Sequence, residues 1–278
     1  MTTYESHPAA QAAFSRGRDL EAAGDLAGAE HAYREALDQA PDLPEGSYRL
    51  GCVLRKAGRI EEAATAFRAA AAADPDAAKA WTNLGASLED LGRREEAADM
   101  YGRATAATGD VRQAWTNLGA IHADAGRRPE AQRCFEAALA LGADVEGYTN
   151  LGLLHFHGGD YEAALTCFDK GAALAPDSAL AHYYAGLALL KKGVPKDALN
   201  RFRKAQRLDE RLVRCHAHIG TCLHKLQDFD GALASLRRAL DHLPDDGRVH
   251  YQMALTLTAL ELHQEARRHY RLARGEAS

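Results

Sequence analysis

Small residues recur at Gly17, Gly51, Gly85, Gly119, Gly152, Gly186, Gly220 and Ala254, at intervals of 34, 34, 34, 33, 34, 34 and 34. A cadence of this length marks one supersecondary unit written repeatedly, each copy burying its apolar stripe against its neighbours. Such an array has no single central core, so the usual link between chain length and domain count does not apply. Other residues travel with the cadence. Twelve residues on stands an alanine (Ala29, Ala63, Ala97, Ala131, Ala164, Ala198, Ala232, Ala266). Four further comes a large apolar residue: Tyr33, Phe67, Tyr101, Phe135, Phe168, Phe202, Leu236 or Tyr270. Three further comes Ala36, Ala70, Ala104, Ala138, Gly171, Ala205, Ala239 or Ala273.

Steps of four and three stay on one helical face, so these residues form the buried stripe of a second helix in each unit. Trp81, Leu84, Gly85 and Leu88 trace the matching stripe of a first helix. Glycine breaks such as Ala57-Gly58-Arg59 and Leu91-Gly92-Arg93 end that first helix. The small residue lets the paired helices approach, and the large residue of the second helix fills the adjoining space. An all-α stack of antiparallel helix pairs is expected.

WTNLGA at 81–86 and again at 115–120, with the alanine, aromatic and proline positions that follow, resembles the tetratricopeptide repeat. The resemblance covers about residues 10–274 and implies a right-handed superhelical solenoid. Its eight units run about 10–43, 44–77, 78–111, 112–144, 145–178, 179–212, 213–246 and 247–274, with 1–9 and 275–278 as tails. Gly109, Ala143 and Glu210 stand where proline is expected, and Leu236 replaces the aromatic of the seventh unit. These departures weaken single turns, not the assignment.

Composition narrows the setting. No apolar run is long enough for a membrane span, and the N-terminal MTTYESHPAAQ lacks the basic start and apolar stretch of a secretory signal. Five cysteines (Cys52, Cys134, Cys167, Cys215, Cys222) lack metal-type spacing, and free thiols with no signal point to the cytoplasm. Residues 1–144 carry 23 acidic and 16 basic side chains, a balance of −7; residues 145–278 carry 16 and 18, a balance of +2. Neither half is basic enough for a nucleic-acid footprint.

The resemblance also implies that the first helices line a concave, ligand-facing side, at positions −6, −3, −2, +1, +4 and +5 from the small residue. At −2 stand Asn83, Asn117 and Asn150, each preceded by a threonine. An amide offers donor and acceptor together, so three on successive helices could track an extended peptide; alternatively they bond neighbouring helices. Arg49 and Lys79 resemble part of a clamp for a carboxylate, with Glu45, Glu89 and Asp90 close enough to offset them.

In the last three units the same positions hold Leu180, Tyr183, Tyr184, Leu187, Leu190 and Lys191, then Arg214, Ala217, His218, Thr221, His224 and Lys225, then Arg248, Tyr251, Gln252, Leu255, Thr258 and Ala259. No carboxylate occurs among them. Exposed aliphatic and aromatic side chains rimmed by cations suit a peptide with acidic residues beside aliphatic anchors; the alternative is packing against the next unit.

His182, His216 and His250 recur where earlier units have Trp81 and Trp115. Equivalent atoms on packed helices lie too far apart to share one metal ion, so packing is the better reading. Ten of the thirteen histidines lie in the second half, which makes a pH response near 6 an expectation for that half. No phosphate loop, nucleophile elbow or HExxH motif is present, and no cofactor motif. The carboxylate pairs Glu61-Glu62 and Glu95-Glu96 open second helices, where negative charge suits the helix dipole.

The reading is therefore a non-catalytic, cytoplasmic scaffold or adaptor that holds a peptide segment of a partner protein. A self-associating structural subunit and the substrate-recognition arm of a separately encoded enzyme are the alternatives. The apolar stripe of Leu262, Ala266 and Tyr270 in the last unit would be open on one side, which points to a homodimer through that end or, alternatively, to fraying of the last helix.

Overall fold

A computed structural model describes residues 8–276. The chain divides into two compact halves, residues 1–142 and 143–278. In the first half the helix pairs are α1 (Pro8–Ala22) with α2 (Leu26–Gln39), α3 (Pro44–Lys56) with α4 (Ile60–Ala73), α5 (Ala78–Asp90) with α6 (Arg94–Ala106), and α7 (Arg112–Asp124) with α8 (Arg128–Leu141). The second half repeats the plan with α9 (Val145–His157) and α10 (Tyr161–Leu174), α11 (Ala179–Lys191) and α12 (Pro195–Leu208), α13 (Arg214–Lys225) and α14 (Phe229–His242), and α15 (Gly247–Ala259) and α16 (His263–Ala273). Within each half, every helix packs chiefly on the one before and the one after it. The described residues contain no strand, only a single parallel bridge between Ala77 and Thr108.

The pairing rests on the contact expected from the cadence. A methyl group built on Gly85 would lie 2.6 Å from the Tyr101 ring, and one on Gly152 would lie 2.5 Å from the Phe168 ring. The same collision occurs between Gly17 and Tyr33, Gly51 and Phe67, Gly119 and Phe135, Gly186 and Phe202, and Gly220 and Leu236. The seven large side chains are essentially solvent-free. In the eighth pair Ala254 carries the methyl itself, and Tyr270 is only half-buried, edge-on to Tyr251.

Turns within pairs close in a common way. After α3 the Gly58 N–H donates to the Arg55 carbonyl and the Arg59 N–H reaches back to the Leu54 carbonyl, with Gly58 at φ 77°. This left-handed position suits glycine. Gln227 and Glu261 hold the corresponding place at φ 66° and 62°, with the same backbone bonds. Where Gly109 replaces proline, the turn is secured differently: the Thr108 N–H donates to the Asp76 carbonyl (2.9 Å).

The first described residue, Pro8, already lies in α1, where its missing N–H costs nothing near a helix start; residues 1–7 and 277–278 lie outside the described residues. One expectation is adjusted. Tyr183 is not exposed: it is 9% accessible and packs in a buried cluster with Phe202 and Ile219.

Two outcomes follow. Gly85→Ala exchanges a poor helix former for the best one, worth about 1 kcal/mol in a free helix. Yet it overpacks Tyr101, at a cost of about 1–3 kcal/mol, so urea denaturation is expected to show a net loss. Glu261→Gly and Gln227→Gly each relieve a left-handed non-glycine residue, and thermal unfolding is expected to show a gain of roughly 0.5–1 kcal/mol.

Candidate functional site

A candidate site lies in the C-terminal half. First helices α11, α13 and α15 and the end of α16 enclose a cavity of about 1070 Å³. Tyr183, Leu187, Leu190 and Lys191 form one wall and Arg214, Ala217, His218 and Thr221 the second. Arg248, Tyr251 and Gln252 form the third, closed by Tyr270, Ala273 and Arg274. Six residues expected in a groove (Tyr183, Leu187, Arg214, His218, Arg248 and Tyr251) thus meet on one cavity. Their shared face follows from helical repeat: positions −6, −3, +1 and +4 recur about once a turn on the side away from the second helices.

Tyr184 is not among them. It lies half-buried, its ring stacked on Phe168 at 5.4 Å. Sequence reasoning missed Asp246, Tyr270 and Arg274. The Asp246 carboxylate accepts from the Arg248 N–H (2.9 Å) and the Val249 N–H (3.3 Å), capping α15. An aspartate just before a helical stripe is a legible capping signal; that it lies on the cavity wall is not.

The −2 position has a second role. His218 lies 3.1 Å through Nε2 from the Tyr183 hydroxyl, 35 residues earlier. Asn83 Nδ2 donates to the Tyr48 hydroxyl at 3.4 Å, also 35 residues earlier, and to the carbonyl of Lys79 at 2.9 Å. At these two places a −2 side chain grips the −3 side chain of the preceding pair. Asn117 accepts from Gln113 Nε2 at 2.8 Å and is hydrogen-bonded to Tyr101. Both half-buried asparagines have scaffold partners, as the neighbour-bonding alternative supposes. Asn150 belongs to the C-terminal half and is half-buried on α9.

In the N-terminal half, Arg49 and Lys79 line a smaller cavity of about 240 Å³ together with Glu45, Asp74 and Asp110. Arg49 is held by Glu45 at 3.0 Å and by Glu21 at 3.8 Å, so its charge is already matched. Glu21 also accepts from Lys56 and from the buried Tyr33 hydroxyl. Burial opposes its ionisation, but the Lys56 and Tyr33 bonds outweigh that and hold its carboxyl below the usual range.

The recurrent histidines are structural. His182 Nε2 donates to the Pro176 carbonyl (3.0 Å) and His250 Nε2 to the Pro244 carbonyl (2.8 Å), as the Trp81 indole donates to Pro75 (2.9 Å). Cys134, Cys167, Cys215 and Cys222 are buried; burial pushes the Cys215 and Cys222 thiols up to about 12, leaving them unreactive. No cluster of three metal-binding side chains occurs among the described residues, and none of their helices is long and apolar enough to cross a membrane.

Comparison with known proteins fixes the family. The profile described as tetratricopeptide repeat matches residues 2–44, 48–111, 87–127, 116–179 and 223–278. The chain belongs to the tetratricopeptide repeat family. A profile described as anaphase-promoting complex, cyclosome, subunit 3 matches residues 157–239. No curated protein matches the chain.

Among solved structures, the C-terminal part of a tetratricopeptide repeat protein from Cytophaga hutchinsonii is similar at TM-score 0.71 and 15% identity, covering 86% of this chain and 99% of that one. YrrB, titled as a tetratricopeptide repeat protein with an unusual peptide-binding site, is similar at TM-score 0.59 and 22% identity, covering 71% and 99%. A chain of the APC/C hetero-tetramer Cut9-Hcn1 is similar at TM-score 0.61 and 18% identity; the match covers 84% of this chain but only 48% of that one. These likenesses show a shared tetratricopeptide fold.

A pH dependence of stability follows from the cavity wall. Burial, then the Arg214 guanidinium, pushes His218 down to about 4. Burial also lowers His182, His216, His224 and His269. A histidine that is harder to protonate when folded takes up more protons unfolded. Stability is therefore full above about pH 6.5 and is lost as pH falls toward 4. At pH 5 His218 alone is expected to cost about 2 kcal/mol. Thermal melts at pH 7.5 and 5 would show it, and His218→Gln would flatten the difference.

Proposed function

We propose that the chain is a non-catalytic scaffold or adaptor whose C-terminal cavity captures a peptide segment carrying acidic residues beside aliphatic anchors. The family supports the coarse part of this reading, since tetratricopeptide repeats generally serve as protein-interaction scaffolds without catalysis. The observation that carries the finer part is the cavity itself. It joins an apolar wall of Leu187, Leu190 and Ala217 and an exposed Tyr251 to the cations Lys191, Arg214 and Arg248. Aromatic and arginine side chains in such a setting are what binding hot spots are made of. YrrB, by its title, also carries a peptide-binding site.

The Arg49–Lys79 cavity and the Asn83–Asn117 face are weaker receptors, because Arg49 already holds Glu45 and the two amides already have scaffold partners. The buried thiols fit a reducing compartment, so cytoplasmic placement belongs to the same proposal.

The test is calorimetric titration of the full chain with a capped eight-residue peptide alternating Glu and Leu, against one alternating Lys and Leu. The acidic peptide is expected to bind and the basic one not. Arg214→Ala with Arg248→Ala is expected to weaken binding at least about tenfold, roughly 1.4 kcal/mol. Equal affinity for the two peptides would overturn the charge reading. Light scattering in which the free chain dimerises and the peptide fails to compete would favour a cavity filled by a second copy.

A further inference from the structure

The two halves handle groove-side charge differently. In the first, Arg49 holds Glu45 and Glu21, Lys56 holds Glu21 at 2.8 Å and Arg55 holds Asp90 at 3.0 Å. In the second, Lys191, Arg214 and Arg248 line one cavity, and none makes an ion pair among the described residues. Asp246, the carboxylate on that cavity, has Oδ1 committed to the two backbone N–H groups it caps. Cations that outnumber the Asp246 carboxylate raise the local positive potential and draw a further anion in.

His218 lines the same cavity, set within that potential. We infer that Arg214 and Arg248 form an anion subsite whose occupancy by a carboxylate of the bound segment is coupled to protonation of His218. This deepens the peptide-binding reading above and rests on it.

The groups facing the ring come from every element around it. From α11, the Tyr183 hydroxyl lies 3.1 Å from Nε2; from α12, the Phe202 face stacks at 5.1 Å. Arg214 stands one turn back on α13 itself, and Asp246 and Arg248 come from the start of α15. With the cavity empty, burial and the two guanidiniums favour neutral imidazole, and only Asp246 pulls the other way. A carboxylate settled between the guanidiniums cancels their field at the ring and makes the imidazolium admissible. Its Nε2–H then donates to the Tyr183 hydroxyl. By linkage, whatever eases protonation in the complex is returned as affinity when protons are plentiful.

The sign separates this coupling from simple acid damage. Lowering the pH weakens folding, as argued above, but strengthens capture of the anionic segment. If occupancy returns the ring from about 4 to about 6, affinity rises about fourfold between pH 7.5 and pH 5.5.

The experiment titrates the full chain with the Glu–Leu octapeptide at both pH values, for wild type and His218→Gln. Circular dichroism verifies the fold at each pH, and two buffers of different ionisation enthalpy report proton uptake. Expected are tighter binding at pH 5.5, net proton uptake, and a pH ratio near one for His218→Gln. Binding with a pH-independent constant and no proton uptake would overturn the coupling and leave peptide capture standing. No binding at either pH would overturn both.

Discussion

The architecture depends on a ring seated directly over a residue with no side chain. At Gly85 and Tyr101, at five equivalent glycine–ring pairs, and at Gly220 with Leu236, the second helix presses a large side chain into space that only a missing Cβ leaves open. Glycine inside a helix is locally unfavourable. Its recurrence in the middle of seven first helices therefore reports a constraint stronger than helix propensity. Once that contact sets the distance between paired helices, the alanines that follow must stay small, and Ala29, Ala63, Ala97 and their counterparts have essentially no exposed surface.

Those features were legible because they are periodic, and periodicity survives in a linear string. The sixteen helices among the described residues and the contacts over the small residues could be placed from residue spacing, while the six residues that share the cavity stand at positions implied by the tetratricopeptide resemblance. Other features depended on small rotations of one helix against the next, which spacing does not encode. Tyr183 and Tyr184 are adjacent, yet one lines a cavity from a buried position and the other lies flat on Phe168. Asn83 has the composition of a ligand-gripping amide, but its NH₂ is spent on Tyr48 and Lys79. Arg274 and Tyr270 reach the cavity because α16 closes one end of it, a closure that no motif announces.

A common frame thus carries two different electrostatic treatments. Around α1, α3 and α5, carboxylates such as Glu21, Glu45 and Asp90 meet the neighbouring cations, and the outcome is a satisfied surface. Around α11, α13 and α15, Lys191, Arg214 and Arg248 line one cavity, and none makes an ion pair among the described residues. Net charge per half hinted at this contrast, but a balance of +2 understates it, because what matters is which charges share a wall.

The grip of a −2 side chain on the −3 side chain before it, seen at two places, has an evolutionary corollary. Tyr48 with Asn83, and Tyr183 with His218, are partners across a separation of 35 residues. A substitution at one of these positions alters both the adhesion between adjacent hairpins and the lining of the recess beside them. Change at these two places is therefore constrained to proceed by compensated pairs one hairpin apart, so homologous sequences should show covariation at that interval there.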